Sequence, residues 1–144
     1  MAERGLVTFL DTNIVIDVLR RDATWFAWSS SQLAGCIERG DVVVSAIAVA
    51  ELSWGFDAFD DLVTKLDGLS LTIQTLSAAA AFEGGKRFHQ YRRTRRDVDH
   101  PRVLPDFLIG AQALSQDAVL LTRDPKLYRR YFPDLSLITP ETHP

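Results

Sequence analysis

The sequence predicts an α/β sandwich, a parallel sheet covered by helices on both faces. Short apolar runs suited to strands alternate along the chain with stretches of helical periodicity. The length, 144 residues, suits one domain spanning 1–144. A composition of 47% hydrophobic and 24% charged residues is that of a chain that folds rather than one that stays disordered.

Leu6–Leu10 reads as the first strand and stops at Asp11, after which Asn13–Arg20 carries Ile14, Val15, Val18 and Leu19 at helical spacing. Trp25–Arg39 reads as a second helix, with Gly40 just past its end. Asp41–Ser45 is a buried strand, and Ser45 is placed to cap a helix over Ala46–Phe56. Asp57–Leu66 reads as helix, Leu69–Gln74 as strand, and Ser77–Arg96 as a long helix weakened by Gly84 and Gly85. Asp97–Leu104, with Pro101, is a polar loop. Pro105 opens a helix reaching about Ser115, in a first turn where its missing N–H costs nothing. Ala118–Thr122 and Leu135–Ile138 complete the strands.

The formal charge of −3 excludes a uniformly basic coat for nucleic acid, yet the charge is unevenly placed. Between Lys86 and Arg102 stand seven basic residues against two aspartates, a local +5, and the rest of the chain carries nine basic against 17 acidic residues. An acidic body with one basic strip suits a protein that grips a polyanion at one place. Cys36 is the only cysteine, which excludes an intrachain disulfide and a cysteine-rich zinc cluster and points to the cytoplasm. No signal-peptide run opens the chain and no window reaches the ~20 apolar residues of a membrane span, so a soluble protein is expected.

Four carboxylates stand out. Glu51 interrupts an otherwise apolar helical stripe of Ile47, Ala50 and Trp54, where an unpaired charge is costly unless a salt bridge at the core edge satisfies it. Asp11 and Asp124 each follow an apolar strand, at the edge where open α/β sheets bind ligands, although each could simply cap the next helix. Asp106 lies in a first helical turn, favoured there by the helix dipole, and Gly110 and Ala113 on the same face would let that helix approach the sheet edge. Together they describe one acidic cluster. Crowded carboxylates repel unless a cation neutralises them, and an all-oxygen set favours magnesium or manganese over zinc. Such a site activates water against a phosphate.

These residues stand in four stretches, Phe9-Leu-Asp-Thr-Asn13, Ser45-Ala-Ile-Ala-Val-Ala-Glu-Leu52, Pro105-Asp-Phe-Leu-Ile-Gly-Ala-Gln-Ala-Leu114 and Leu121-Thr-Arg-Asp124. In that order they resemble the signature segments of the PIN-domain family, above all its VapC toxins, from residue 9 to about 128. The resemblance implies a five-stranded parallel sheet, magnesium-dependent hydrolysis of RNA with manganese able to substitute, and a VapB-type antitoxin as partner. It implies that Asp11, Glu51, Asp106 and Asp124 are the metal-binding quartet, with Asn13 and Thr122 as polar neighbours. Tyr128 stands where an aromatic, often Phe, is usual, a difference read as harmless.

Beside the quartet, Arg87, Arg92, Arg93, Arg95, Arg96 and Arg123, with Lys86 and Arg102, are candidates for RNA phosphates, and Tyr91 and His89 for base stacking. A solvated helix face explains the run equally well. His89, His100 and His143 show no spacing that would converge on one phosphate, Cys36 lacks a basic or histidine neighbour that would activate it, and Glu83-Gly-Gly-Lys86 is too short for a phosphate-binding loop. Trp25, Phe26 and Trp28 offer a groove or homodimer surface, with the two tryptophans as hot spots for an antitoxin helix, and Trp54 is a core or interface aromatic. A haloacid-dehalogenase phosphotransferase would need an aspartate where Asn13 stands, and a receiver domain a lysine before Asp124 near the fourth or fifth strand. An inactive PIN-like binding module and a housekeeping nuclease without antitoxin are the other readings.

Overall fold

A computed structural model describes residues 6–94 and 103–144. Arg95, Arg96, His100, Pro101 and Arg102, and most of the expected Asp97–Leu104 loop, lie outside the described residues.

The strands are β1 (Thr8–Leu10), β2 (Val42–Ser45), β3 (Thr72–Gln74), β4 (Val119–Leu121) and β5 (Ser136–Ile138). All pair in parallel, in the order β3-β2-β1-β4-β5. The helices among the described residues are α1 (Thr12–Arg20), α2 (Phe26–Arg39), α3 (Ala46–Leu52), α4 (Phe59–Gly68), α5 (Ala78–Thr94), α6 (Leu104–Ser115) and α7 (Lys126–Tyr131). The expected α/β sandwich is therefore what the chain forms. Every residue of β1 and β2 is buried, as a strand covered on both faces must be, which is why both read as unbroken apolar runs. Phe9, Leu10, Val43, Val44, Leu120 and Leu121 supply the centre of the core, against Ile14, Ala48, Phe107, Tyr128 and Phe132 from helices and loops.

Connectivity places the functional edge. From β1 the chain moves outward to β2 and β3, then returns to the other side of β1 for β4 and β5. The seam between β1 and β4 is thus where the winding reverses, and a crevice opens beyond the carboxyl ends of those strands. Register brings Leu10 opposite Leu121, so Asp11 and Thr122 leave the sheet side by side.

Three expectations need correction. The expected Ala46–Phe56 helix stops at Leu52, passes through a 3-10 turn over Ser53–Gly55, and is extended at Phe56. The core face of α3 is Ala48 and Leu52, one turn apart, so the stripe of Ile47, Ala50, Glu51 and Trp54 is not buried; Trp54 is 77% exposed. The short α7, absent from the sequence reading, follows Asp124-Pro125 directly. As expected, α6 lies against the sheet at β1 and β4, and Gly110 in addition makes room for the Phe132 ring, from which a Cβ there would stand 3.0 Å.

Gly84 is a packing requirement rather than a weak point. Among the helix pairs α5 and α6 share the most extensive contact, and a Cβ on Gly84 would lie 2.9 Å from the Phe107 carbonyl oxygen and 3.3 Å from the Ala111 Cβ. Gly85 has nothing within 4 Å of the same point. Gly84→Ala should therefore destabilise the chain by about 1–3 kcal/mol through backbone overlap, whereas Gly85→Ala should stabilise it by up to about 1 kcal/mol through helix propensity. Urea unfolding of the two variants beside the parent checks both signs.

Candidate active site

The crevice is a cavity of about 610 Å³ lined by residues from β1's end, α1, α3, α5, α6 and α7, and all four carboxylates of the predicted quartet face it. Each arrives from a different stretch of chain. Asp11 caps α1, its Oδ1 accepting from the Thr12 amide at 2.8 Å, and the same side chain lines the cavity. Its Oδ2 accepts from the Thr122 hydroxyl at 2.7 Å and, at a long 3.4 Å, from the Asn13 amide. Thr122 Oγ1 in turn accepts from the Asp124 amide at 3.0 Å, so one hydroxyl orders Asp11 and the Asp124 turn at once.

Glu51, half-buried on α3, accepts the Thr12 hydroxyl at 2.6 Å. Asp106 lies in the first turn of α6, behind Pro105, and Asp124 is exposed at the mouth. Asp124 does not cap α7, whose first turn has no side-chain cap. Neither Asp106 nor Asp124 has a hydrogen-bond donor to its carboxylate among the described residues, leaving their oxygens open to the cavity.

The electrostatics follow from this crowding. Burial, and then the charges of Asp11, Glu51 and Asp124, push the Asp106 carboxyl from 3.8 up to about 8. Burial also raises Asp11, to about 6; its bonds from Thr122 and Thr12 and the nearby Tyr128 hydroxyl pull it back, and the Glu51 charge adds to the rise. Tyr128 is fully buried on α7, and burial together with the Asp11 and Asp106 charges carries its phenol well above the usual range. Its hydroxyl lies beside Asp11 without the geometry of a formed hydrogen bond. The Tyr-for-Phe difference is therefore not neutral: it puts a polar atom against the acidic cluster.

These residues fit a hard divalent cation. All four acidic donors are carboxylate oxygens, and they repel one another in its absence. No three of the acidic side chains converge tightly enough to chelate an ion by themselves among the described residues. A hard cation that keeps several of its waters and takes one or two direct carboxylates does not require three to converge.

The remaining candidates scatter. Arg123 does not balance the quartet; its Nε donates to buried Asp17 Oδ2 at 2.8 Å, beside the Ser29 hydroxyl, and its guanidinium lies over Trp25. Arg87 is committed to Glu83, to Asp134 and to the Tyr131 carbonyl, and lies over the Phe132 ring, so its place is structural. Arg92 lies exposed over Phe88, and Arg93 is exposed. Tyr91 is buried against Phe107 and Tyr131 and lines the cavity, while His89 is exposed beside Phe88 and remote in sequence from His143 at the chain end. Cys36 does have a basic neighbour, Arg39 at 3.4 Å, yet burial pushes its thiol up, away from nucleophilic use. Lys126, Arg130 and Thr12 line the cavity and escaped sequence reading. The signal for Lys126 and Arg130 was their spacing within the Lys126-Leu-Tyr-Arg-Arg-Tyr131 segment, which becomes visible only once that segment is known to be helical.

Comparison with known proteins identifies the class. The PIN-domain family profile matches residues 8–133, and the chain belongs to that family, whose members are generally nucleases. No curated protein matches it. Its fold is similar to that of a chain in the VapBC2 complex of Rickettsia felis bound to a promoter DNA fragment, with 24% identity, 93% of this chain and 98% of that one covered, and a TM-score of 0.67. VapBC-1 of nontypeable Haemophilus influenzae gives 22% identity, the same coverages and a TM-score of 0.68. FitAcB of Neisseria gonorrhoeae gives 23%, 93% and 98%, and 0.61. No described helix is long and apolar enough to cross a membrane.

The raised carboxyls make stability depend on pH with a definite sign. Between 3.8 and about 8 the folded chain holds a proton on Asp106 that the unfolded chain has released, so stability must fall as pH rises through that window. Asp11 adds to the fall between 3.8 and about 6. In metal-free buffer the melting temperature should drop from pH 5 to pH 8. Asp106→Asn should flatten the upper part of the drop and melt higher at pH 8 by about 3 °C, the shift that ~1 kcal/mol makes in a chain of this size. Scanning fluorimetry across that range measures it, and a level parent profile would contradict the reading.

Proposed function

We propose that this chain is a magnesium-dependent endoribonuclease, the toxin of a VapBC-type pair, held in check by a VapB-type antitoxin. The observation that carries the reading is the meeting of Asp11, Glu51, Asp106 and Asp124 in one cavity at the seam of the sheet. Asp106 and Asp124, with open oxygens, and Asp11, held still by its donors, would bind the magnesium, with Glu51 completing the acidic set; manganese would serve as well. When bound, the cation supplies a water of lowered pKa and a counter-charge for the phosphate.

The protein's own groups do the rest. Thr122 and the Thr12 amide fix the Asp11 carboxylate, so it need not reorganise as charge develops. Asn13 lines the cavity and turns its side-chain amide toward Asp11, and the acidic side chains would accept the proton of the attacking water. Lys126 and Arg130 at the rim draw in the phosphates of the RNA strand that is cut.

For the antitoxin there is a second surface besides the Trp25, Phe26 and Trp28 segment. In that segment Trp25 and Trp28 pack edge to face, Trp28 donates to the His143 carbonyl, and Phe26 lies beneath Arg21. A second cavity, of about 220 Å³, adjoins the site through Ile16 and Glu51 and carries exposed Trp54 with Leu19 and Phe56. An amphipathic antitoxin segment seated there could pass a basic side chain to the carboxylates.

The test is in cells and in the tube. Asp11→Asn keeps the cap acceptor and removes a ligand charge, so it should fold and lose RNA cleavage by at least about a hundredfold. Expressed alone, the parent should arrest growth, and the product of a small adjoining reading frame should restore it; Trp54→Ala should weaken that rescue. Full activity of Asp11→Asn, or a harmless folded parent, would dismiss the toxin reading.

A further inference from the structure

Beside the acidic cavity lies a second open groove of about 760 Å³, walled by α5 on one side and by α7 with Pro133 and Asp134 on the other. Arg130 and Tyr131 line both hollows, so the two adjoin at α7. The α5 wall is a single exposed ridge. Phe82, Lys86, Gln90 and Arg93 follow at helical spacing and extend about 16 Å at the ~1.5 Å rise of a helix. That length suits an extended ligand rather than one anion.

Charge gives the ligand's sign. The groove holds four cations against two carboxylates, and both carboxylates, Glu83 and Asp134, are already paired with Arg87. Lys86, Arg93 and Arg130 have no ion pair among the described residues. Lys86 stands over the Phe82 ring at 5.8 Å and Arg130 over Tyr131 at 5.7 Å. Phe82 is 70% exposed, an aromatic side chain beside the Lys86 ammonium at one end of the ridge. Phosphate-seeking charges interleaved with an exposed ring describe a platform for single-stranded nucleic acid.

We propose that the groove between α5 and α7 is the track by which single-stranded RNA enters the acidic cavity. Lys86, Arg93 and Arg130 take successive phosphates, and Phe82 stacks a base at the far end. The proposal rests on the nuclease reading for its choice of RNA. It assigns the contacts to a different set of residues from the arginine run as a whole: Arg87 holds the fold, Arg92 turns to Phe88, and Arg130 joins from α7.

Binding is measured in the Asp11→Asn chain without metal, so that cleavage plays no part. Fluorescence anisotropy of a labelled 12-nucleotide single-stranded RNA is followed from 50 to 200 mM KCl. Replacing Lys86, Arg93 and Arg130 together by Ala should weaken binding at least about tenfold and lower the slope of log K against log salt by about 2, as three lost single-strand phosphate contacts require. Phe82→Ala should weaken binding and leave the slope unchanged. The control removes three exposed cations elsewhere, Arg21, Arg39 and Lys65, for the same change in net charge and should do markedly less. Equal losses in the two triple variants, no loss in the groove variant, or no binding by the parent chain would overturn the track. So would a groove variant that keeps its RNA affinity and loses a protein partner. If the track variants behave as expected and the active chain cuts no RNA, the track stands and the nuclease reading falls.

Discussion

Two parallel strands ending at the same height create the problem that the rest of this molecule accommodates. The paired ends of β1 and β4 set Asp11 against Thr122, 111 residues away, and the 2.7 Å bond between them closes the seam at its open end. Asp11 is 5% exposed there, with three further carboxylates around the same hollow. A charge so placed is costly, and the fold meets the cost with donors: the α1 amide end, the Thr122 hydroxyl and the Asn13 amide all turn toward Asp11. Asp106 receives no such help, and its carboxyl moves furthest from its ordinary range. An imbalance of that kind, built into a rigid seam, is what a cation would relieve.

Surrounding the acidic hollow, the cationic groups divide by task. Asp17, buried at the base of α1, takes Arg123 and Ser29, which ties the Asp124 turn to α1 and α2. Arg87 ties α5 to the Asp134 loop in the same way. Lys86, Arg93 and Arg130, without an ion pair among the described residues, line one groove beside the acidic hollow. The acidic body and basic strip visible in the sequence thus resolve into cations spent on the fold and cations available to a polyanion.

Much of this was legible in the sequence, for identifiable reasons. Apolar runs such as Val119–Leu121 mark buried parallel strands, and an acidic residue at or just beyond the end of such a run is visible by position alone, so Asp11 and Asp124 could be placed on the site edge. Glu51 was found for a reason that proved wrong: its stripe is not core, because α3 packs through Ala48 and Leu52 and unwinds before Trp54. The six residues of α7 are too few for a periodic signal, and with that helix went Lys126, Arg130 and the placement of the Tyr128 hydroxyl against Asp11. Long-range partners were equally hidden. Nothing near Arg87 announces Asp134, 47 residues on, and nothing near Gly84 announces the carbonyl of Phe107.

The central claim is that the four carboxylates form one coupled site whose repulsion a divalent cation removes. Calorimetric titration of the chain with magnesium, repeated at pH 7 in buffers of different ionisation enthalpy, counts the protons released on binding. The account predicts release of about one proton at pH 7, carried mainly by Asp106, shrinking toward zero above pH 9 and lost in Asp106→Asn. Magnesium binding with no proton release at pH 7, or no binding at all, would contradict it.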